Sequence, residues 1–161
     1  MFGSAVVGVP VVLGVALLIW GSMLPVAHTA SVEVEVPAPP ADVYERIADV
    51  DRVPEWRSSV SAVDVLSDDP VRFKETSGGD TIVFQVDVDE PPTRRVVRID
   101  DDLPFGGRWV FELSAAGDGT AVRITEQGEV YNPFFRVIST YVIGHDATLK
   151  AYAADLEAAS R

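Results

Sequence analysis

The chain has 161 residues, enough for one domain of about 130 residues once the first thirty are set apart, and a second folded domain does not fit. Its formal net charge is -12, and every Asp, Glu, Lys and Arg lies from Glu33 onward. So acidic a surface argues against nucleic-acid binding, where phosphate contacts demand clustered cations. The absence of cysteine excludes disulfides, thiolate catalysis and Cys-ligated metal centres.

Residues 2–27 carry no Asp, Glu, Lys or Arg and form an apolar run long enough to cross a hydrocarbon core of about 30 Å. They are expected to form a single transmembrane anchor, giving a division into 1–30, the anchor, and 31–161, the globular domain. A cleaved signal peptide and a buried soluble helix are the competing readings, the signal disfavoured because no basic residue precedes the run and no good small-x-small site follows it. The arginines that follow tilt the globular domain of this single-pass arrangement toward the cytoplasm.

Residues 31–36 alternate, with Val32, Val34 and Val36 on one side and Glu33 and Glu35 on the other, as a half-buried strand does. Pro37, Pro39 and Pro40 stop it, and a short amphipathic helix over 40–48 turns Val43, Tyr44 and Ile47 inward. A second short helix follows near 53–58. From there to Tyr131 the pattern is strand and turn: 60–66, 71–76, 81–89, 94–100, 108–115 and 121–131, separated by Gly, Pro and Asp signals such as Gly117-Asp118-Gly119. Parity places Trp109, Phe111 and Leu113 on one face, and likewise Val122, Ile124 and Glu126; Ile82, Phe84, Val86 and Val88 share another. The last long stretch, 132–159, opens with Asn132 as N-cap and Pro133 at the first helical position. Phe134, Ile138, Tyr141, Val142, His145, Leu149, Tyr152 and Leu156 then recur at helical spacing, predicting one helix of about 40 Å.

The opening block from Val34 to Trp56 (VEVPAPPADVYERIADVDRVPEW), the strand GGRWVFEL, the strand GTAVRITEQGEV and the closing helix with YAADLEAA together resemble the START/polyketide-cyclase superfamily, SRPBCC. That resemblance implies an α+β helix-grip fold: a seven-stranded, mostly antiparallel curved sheet around a long C-terminal helix, with two short helices after the first strand. It also implies a hydrophobic cavity between sheet and helix. Members of the superfamily bind lipids, sterols or polyketides, and some catalyse cyclase or aromatase chemistry.

Candidate site residues follow from the parity and the resemblance together. Trp56, Phe84, Phe105, Trp109, Phe111, Phe134 and Tyr141 are the rings expected to line a cavity or its mouth, with Phe135 beside them, although ordinary core is the bland alternative for each. His145, on the apolar helix face, and Glu126, facing inward, are the acid/base candidates, weighed against a structural His paired within the core. The other histidine, His28, is placed at the membrane exit, so no two-His metal site is expected. Arg57 and Arg108 could meet a ligand carboxylate or lipid phosphate, with solvated surface the favoured reading. No metal and no cofactor are expected. The leading expectation is a membrane-tethered module that binds a hydrophobic small molecule or lipid without chemistry. The alternatives are a cyclase or dehydrase using His145 or Glu126, and an acidic interaction module at the membrane.

Overall fold

The computed structural model describes residues 5–143 and 146–161. A first helix, α1 (Ala5–Met23), is followed by β1 (Ala27–Val36), α2 (Pro40–Ala48), a single 3-10 turn (Val50–Arg52) and α3 (Val53–Trp56). Six further strands follow: β2 (Val60–Asp68), β3 (Val71–Ser77), β4 (Asp80–Glu90), β5 (Arg94–Ile99), β6 (Phe105–Ala116) and β7 (Gly119–Val130). The chain closes with α4 (Pro133–Ile138), a π segment (Ser139–Ile143) and α5 (Ala147–Ala159).

The seven strands form one antiparallel sheet in the order β1-β7-β6-β5-β4-β3-β2. The first strand therefore pairs with the last, and the chain reaches the opposite edge through α2 and α3. Register shifts in β2 and in β4, between Val86 and Val88, mark irregularities of the kind that bend a strand. The concave face is covered by α2, which meets β6 and β7, and by α5, which meets β1, β7 and α3. Val36, Val43, Ile47, Leu113, Val122, Ile124, Leu149 and Leu156 fill the junction. Proline opens α2 where its missing N–H costs nothing, and Val43, Tyr44 and Ile47 are its buried positions, as the sequence pattern requires.

Tyr44 also pins α2 to the sheet. Its hydroxyl donates to the Asp89 carboxylate in a short contact and lies 3.2 Å from the Arg94 carbonyl. The same carboxylate accepts from Arg95 Nη1 at 2.9 Å. Burial, reinforced by the bond to Asp89, pushes the Tyr44 hydroxyl up to about 12, so it stays protonated as the donor.

Two expectations are corrected. Among the described residues no helix is long and apolar enough to cross a membrane. The single-pass anchor over residues 2–27, and the membrane localisation drawn from it, are accordingly not supported. The apolar run does not continue as one helix: α1 stops at Met23 and residues from Ala27 onward are sheet. The end of α1 is docked on α4, where a β-carbon on Gly21 would lie 1.9 Å from the Pro133 carbonyl oxygen, so only glycine permits the approach. Arg136 Nη1 donates to the Gly21 and Leu24 carbonyls at 3.2 and 3.3 Å, a cation at a helix C-terminus. The single helix expected over 132–159 is likewise divided. Asn132 does cap it, accepting from the Phe134 N–H at 2.9 Å, and Pro133 does open it. After Ile138, however, the backbone widens into the π segment, and α4 packs on α1 whereas α5 packs on the sheet. His145 lies outside the described residues.

Candidate functional site

Between the concave sheet face and α5 lies a cavity of about 880 Å³. One wall is aromatic. Phe73 and Phe84, cross-strand partners on β3 and β4, stack with ring centroids 5.5 Å apart. Val97 and Ile99 of β5 continue the wall to Trp109 and Phe111 of β6. Tyr152 closes it from α5, its ring meeting Trp56 edge-on at 5.2 Å, Trp109 at 5.5 Å and Phe111 at 5.3 Å. Phe105, Phe135 and Ile138 line the side nearest α4, and Phe135 is 48% exposed, so there the cavity meets solvent.

Two polar stations interrupt this surface. On β3, Glu75 accepts from Arg57 Nη1 at 2.7 Å, and the two side chains are 11% and 12% exposed. The Arg57 guanidinium also lies over the Tyr152 ring, 4.8 Å from its centroid. Burial raises Glu75 above the ordinary carboxylate range, and Arg57 only partly offsets it. On β1 and β7, His28 Nε2 lies 3.7 Å from Glu126 Oε1, with side chains 17% and 22% exposed. That distance exceeds a direct hydrogen bond and makes an ion pair only when the imidazole is protonated. Gly128, opposite His28 in the β1–β7 register, provides the room: a β-carbon there would lie 2.4 Å from His28 Cε1. Burial raises the Glu126 carboxyl too. Among the described residues no group of three or more His, Asp or Glu side chains is arranged to hold a metal ion.

Of the residues expected at the site, Phe84, Phe105, Trp109, Phe111 and Glu126 line the cavity. Trp56 sits behind Tyr152 with a buried, unpartnered Nε1 rather than on the cavity surface. Phe134 and Tyr141 are turned outward, 42% and 58% exposed, the first against Phe135 and the second against Trp20 of α1. They belong to the helical segment that packs mainly on α1 and meets the sheet at β7. The reading of sequence alone missed His28, Glu75 and Arg95 and favoured solvated surface for Arg57, yet all four line the cavity. Period-two alternation extended back from Val32 through Ala30 would have reached His28, and Phe73, Glu75 and Ser77 share strand parity.

Residues 27–158 match the model of the family described as polyketide cyclase/dehydrase and lipid transport. No curated protein matches the chain. Among solved structures, a START superfamily protein from Mycobacterium smegmatis is similar with a TM-score of 0.65 at 21% identity, over 83% of this chain and 97% of that one. Norcoclaurine synthase from Thalictrum flavum is similar with a TM-score of 0.66 at 12% identity, over 88% of this chain and 90% of that one. The di-domain ARO/CYC protein StfQ of the steffimycin biosynthetic pathway gives a TM-score of 0.66 at 13% identity, over 84% of this chain and 51% of that one. At these identities the likeness is one of fold.

Proposed function

Because the chain belongs to the polyketide cyclase/dehydrase and lipid transport family, we propose that it binds a hydrophobic small molecule or lipid in the space between its sheet and α5, without transforming it. The observation that carries this reading is the cavity itself. Its volume of about 880 Å³ falls in the range of small-molecule sites, roughly 300–1,000 Å³, and rigid rings supply most of one wall. Each 100 Å² of apolar guest surface withdrawn from water contributes about 2.5 kcal/mol before the cost of immobilisation.

A fluorescence titration with 1-pyrenedecanol tests the reading, run on the native chain and on Ala151→Trp. Ala151 lines the cavity from an exposed position on α5, so an indole there fills space without disturbing the core. Saturable uptake by the native chain and its loss in the variant is the expected result. Equal uptake by both would count against the cavity as the site.

One observation favours a second reading, an acid/base enzyme of the cyclase or dehydrase type. Glu126, expected as an acid/base candidate, has His28 beside it within the cavity, an arrangement able to pass a proton to or from a bound guest. A bell-shaped activity profile abolished by either His28→Ala or Glu126→Gln would favour catalysis over binding.

A further inference from the structure

The Arg57–Glu75 pair is built more tightly than a surface ion pair needs to be. Arg57 is fixed on two sides, by its 2.7 Å bond to Glu75 and by the Tyr152 ring beneath it. Only one oxygen and one terminal nitrogen are used between the two side chains. Arg57 Nη2 and Glu75 Oε1 make no hydrogen bond among the described residues, and Arg57 Nε is buried without a partner. A donor and an acceptor are therefore left unused on two paired residues that line the cavity. A buried polar site that is half satisfied selects the guest that completes it.

The pair is neutral as a unit. The rest of the lining carries further carboxyl groups, Glu126 and Glu129, against the guanidinium of Arg95, which is already bonded to Asp89. A carboxylate or phosphate brought beside Glu75 would share one cation with it in poorly solvated surroundings, and like charges there repel strongly. An alcohol, phenol or amide both accepts and donates, and meets no such penalty.

We infer that the Arg57–Glu75 pair is a head-group site, and that the guest is an apolar molecule bearing a neutral hydroxyl or amide head, oriented with that head at β3. Arg57 Nη2 donates to the head oxygen and Glu75 Oε1 accepts a hydrogen bond from the head's O–H or N–H. The apolar body then lies along Phe73, Phe84 and Val97 toward Trp109. From Glu75 on β3 to Glu126 on β7 is four strand steps, about 19 Å along the sheet at ~4.8 Å per step, so the body has room to extend. The inference rests on the reading of the cavity as a binding site and specifies which guests it selects.

Three probes with one body and different heads test it at pH 7.5: 1-pyrenedecanol, 1-pyrenedecanoate and 1-decylpyrene, titrated by pyrene fluorescence. The native chain is expected to bind the alcohol about tenfold more tightly than the carboxylate, and more tightly than the headless hydrocarbon, as a hydrogen-bonded head beside a charged pair implies. In Glu75→Gln the cation loses its counter-charge, and the order of alcohol and carboxylate should reverse. A native chain that prefers the carboxylate, or does not distinguish the heads, overturns the head-group site while leaving the cavity reading intact. Binding of none of the three sinks both. The ranking in the native chain decides the matter even where the variant fails to fold.

Discussion

Replacing Arg57 by methionine keeps the length of the side chain over Tyr152 but leaves Glu75 in its buried position without a cation. Both partners are only 11–12% exposed, so the pair is not screened as a surface bridge would be, and removing one member of a buried pair costs about 3–5 kcal/mol. Losing the guanidinium from the Tyr152 face adds about 0.5–2 kcal/mol to this. The penalty depends on pH. Glu75 already lies above the ordinary carboxylate range because of burial, opposed by Arg57, and without Arg57 it rises further. Between its ordinary and its folded value the folded chain holds the extra proton, so stability falls as pH rises across that window. Urea unfolding followed by tryptophan fluorescence should therefore show the full loss at pH 8 and a smaller one at pH 5. The double variant Arg57→Met with Glu75→Met should recover to within about 1 kcal/mol of the native chain, since apolar replacement of a whole buried pair is often neutral or better. A loss below about 1 kcal/mol for the single variant at pH 8, or one that ignores pH, would refute the assignment of a buried pair.

Leu149→Ala removes a fully buried side chain of α5 packed in the main core and should cost about 2–5 kcal/mol in the same assay. Glu126→Gln removes a carboxyl raised by burial. The native chain loses stability as pH rises from the ordinary carboxylate value through the raised one, and the variant should lose less, with the slope from Glu75 remaining. Gly128→Ala puts a methyl 2.4 Å from His28 Cε1 and 3.1 Å from Glu126 Oε1, so the imidazole must leave its seat. The His28 carbon-bound proton resonances should shift, while pyrene probes still bind.

Much of this architecture can be read from the chain because local signals agree with tertiary demand. The Asn132-Pro133 start, the Val43-Tyr44-Ile47 face and the shared parity of Trp109, Phe111 and Leu113 all reappear as observed elements. The failures have physical causes. Apolar residues that run unbroken into β1 conceal where helix ends and strand begins, which hid His28 behind a membrane reading. Periodicity cannot show that a helix changes partners midway, which is why it places Phe134 and Tyr141 at the cavity or its mouth. Arg57 at the end of α3 joins Glu75 on β3 only through the fold, as the two are 18 residues apart in sequence. Nothing local marks an arginine for the interior.

If the hollow between the sheet and α5 holds a guest, isotope-filtered NOEs between labelled protein and bound 1-pyrenedecanol will locate it there. Contacts from the probe to Phe84, Trp109, Phe111 and Tyr152, which face that hollow, are expected. Contacts confined to Trp20, Phe134 and Tyr141, the outward rings of α1, α4 and the π segment, would contradict that placement.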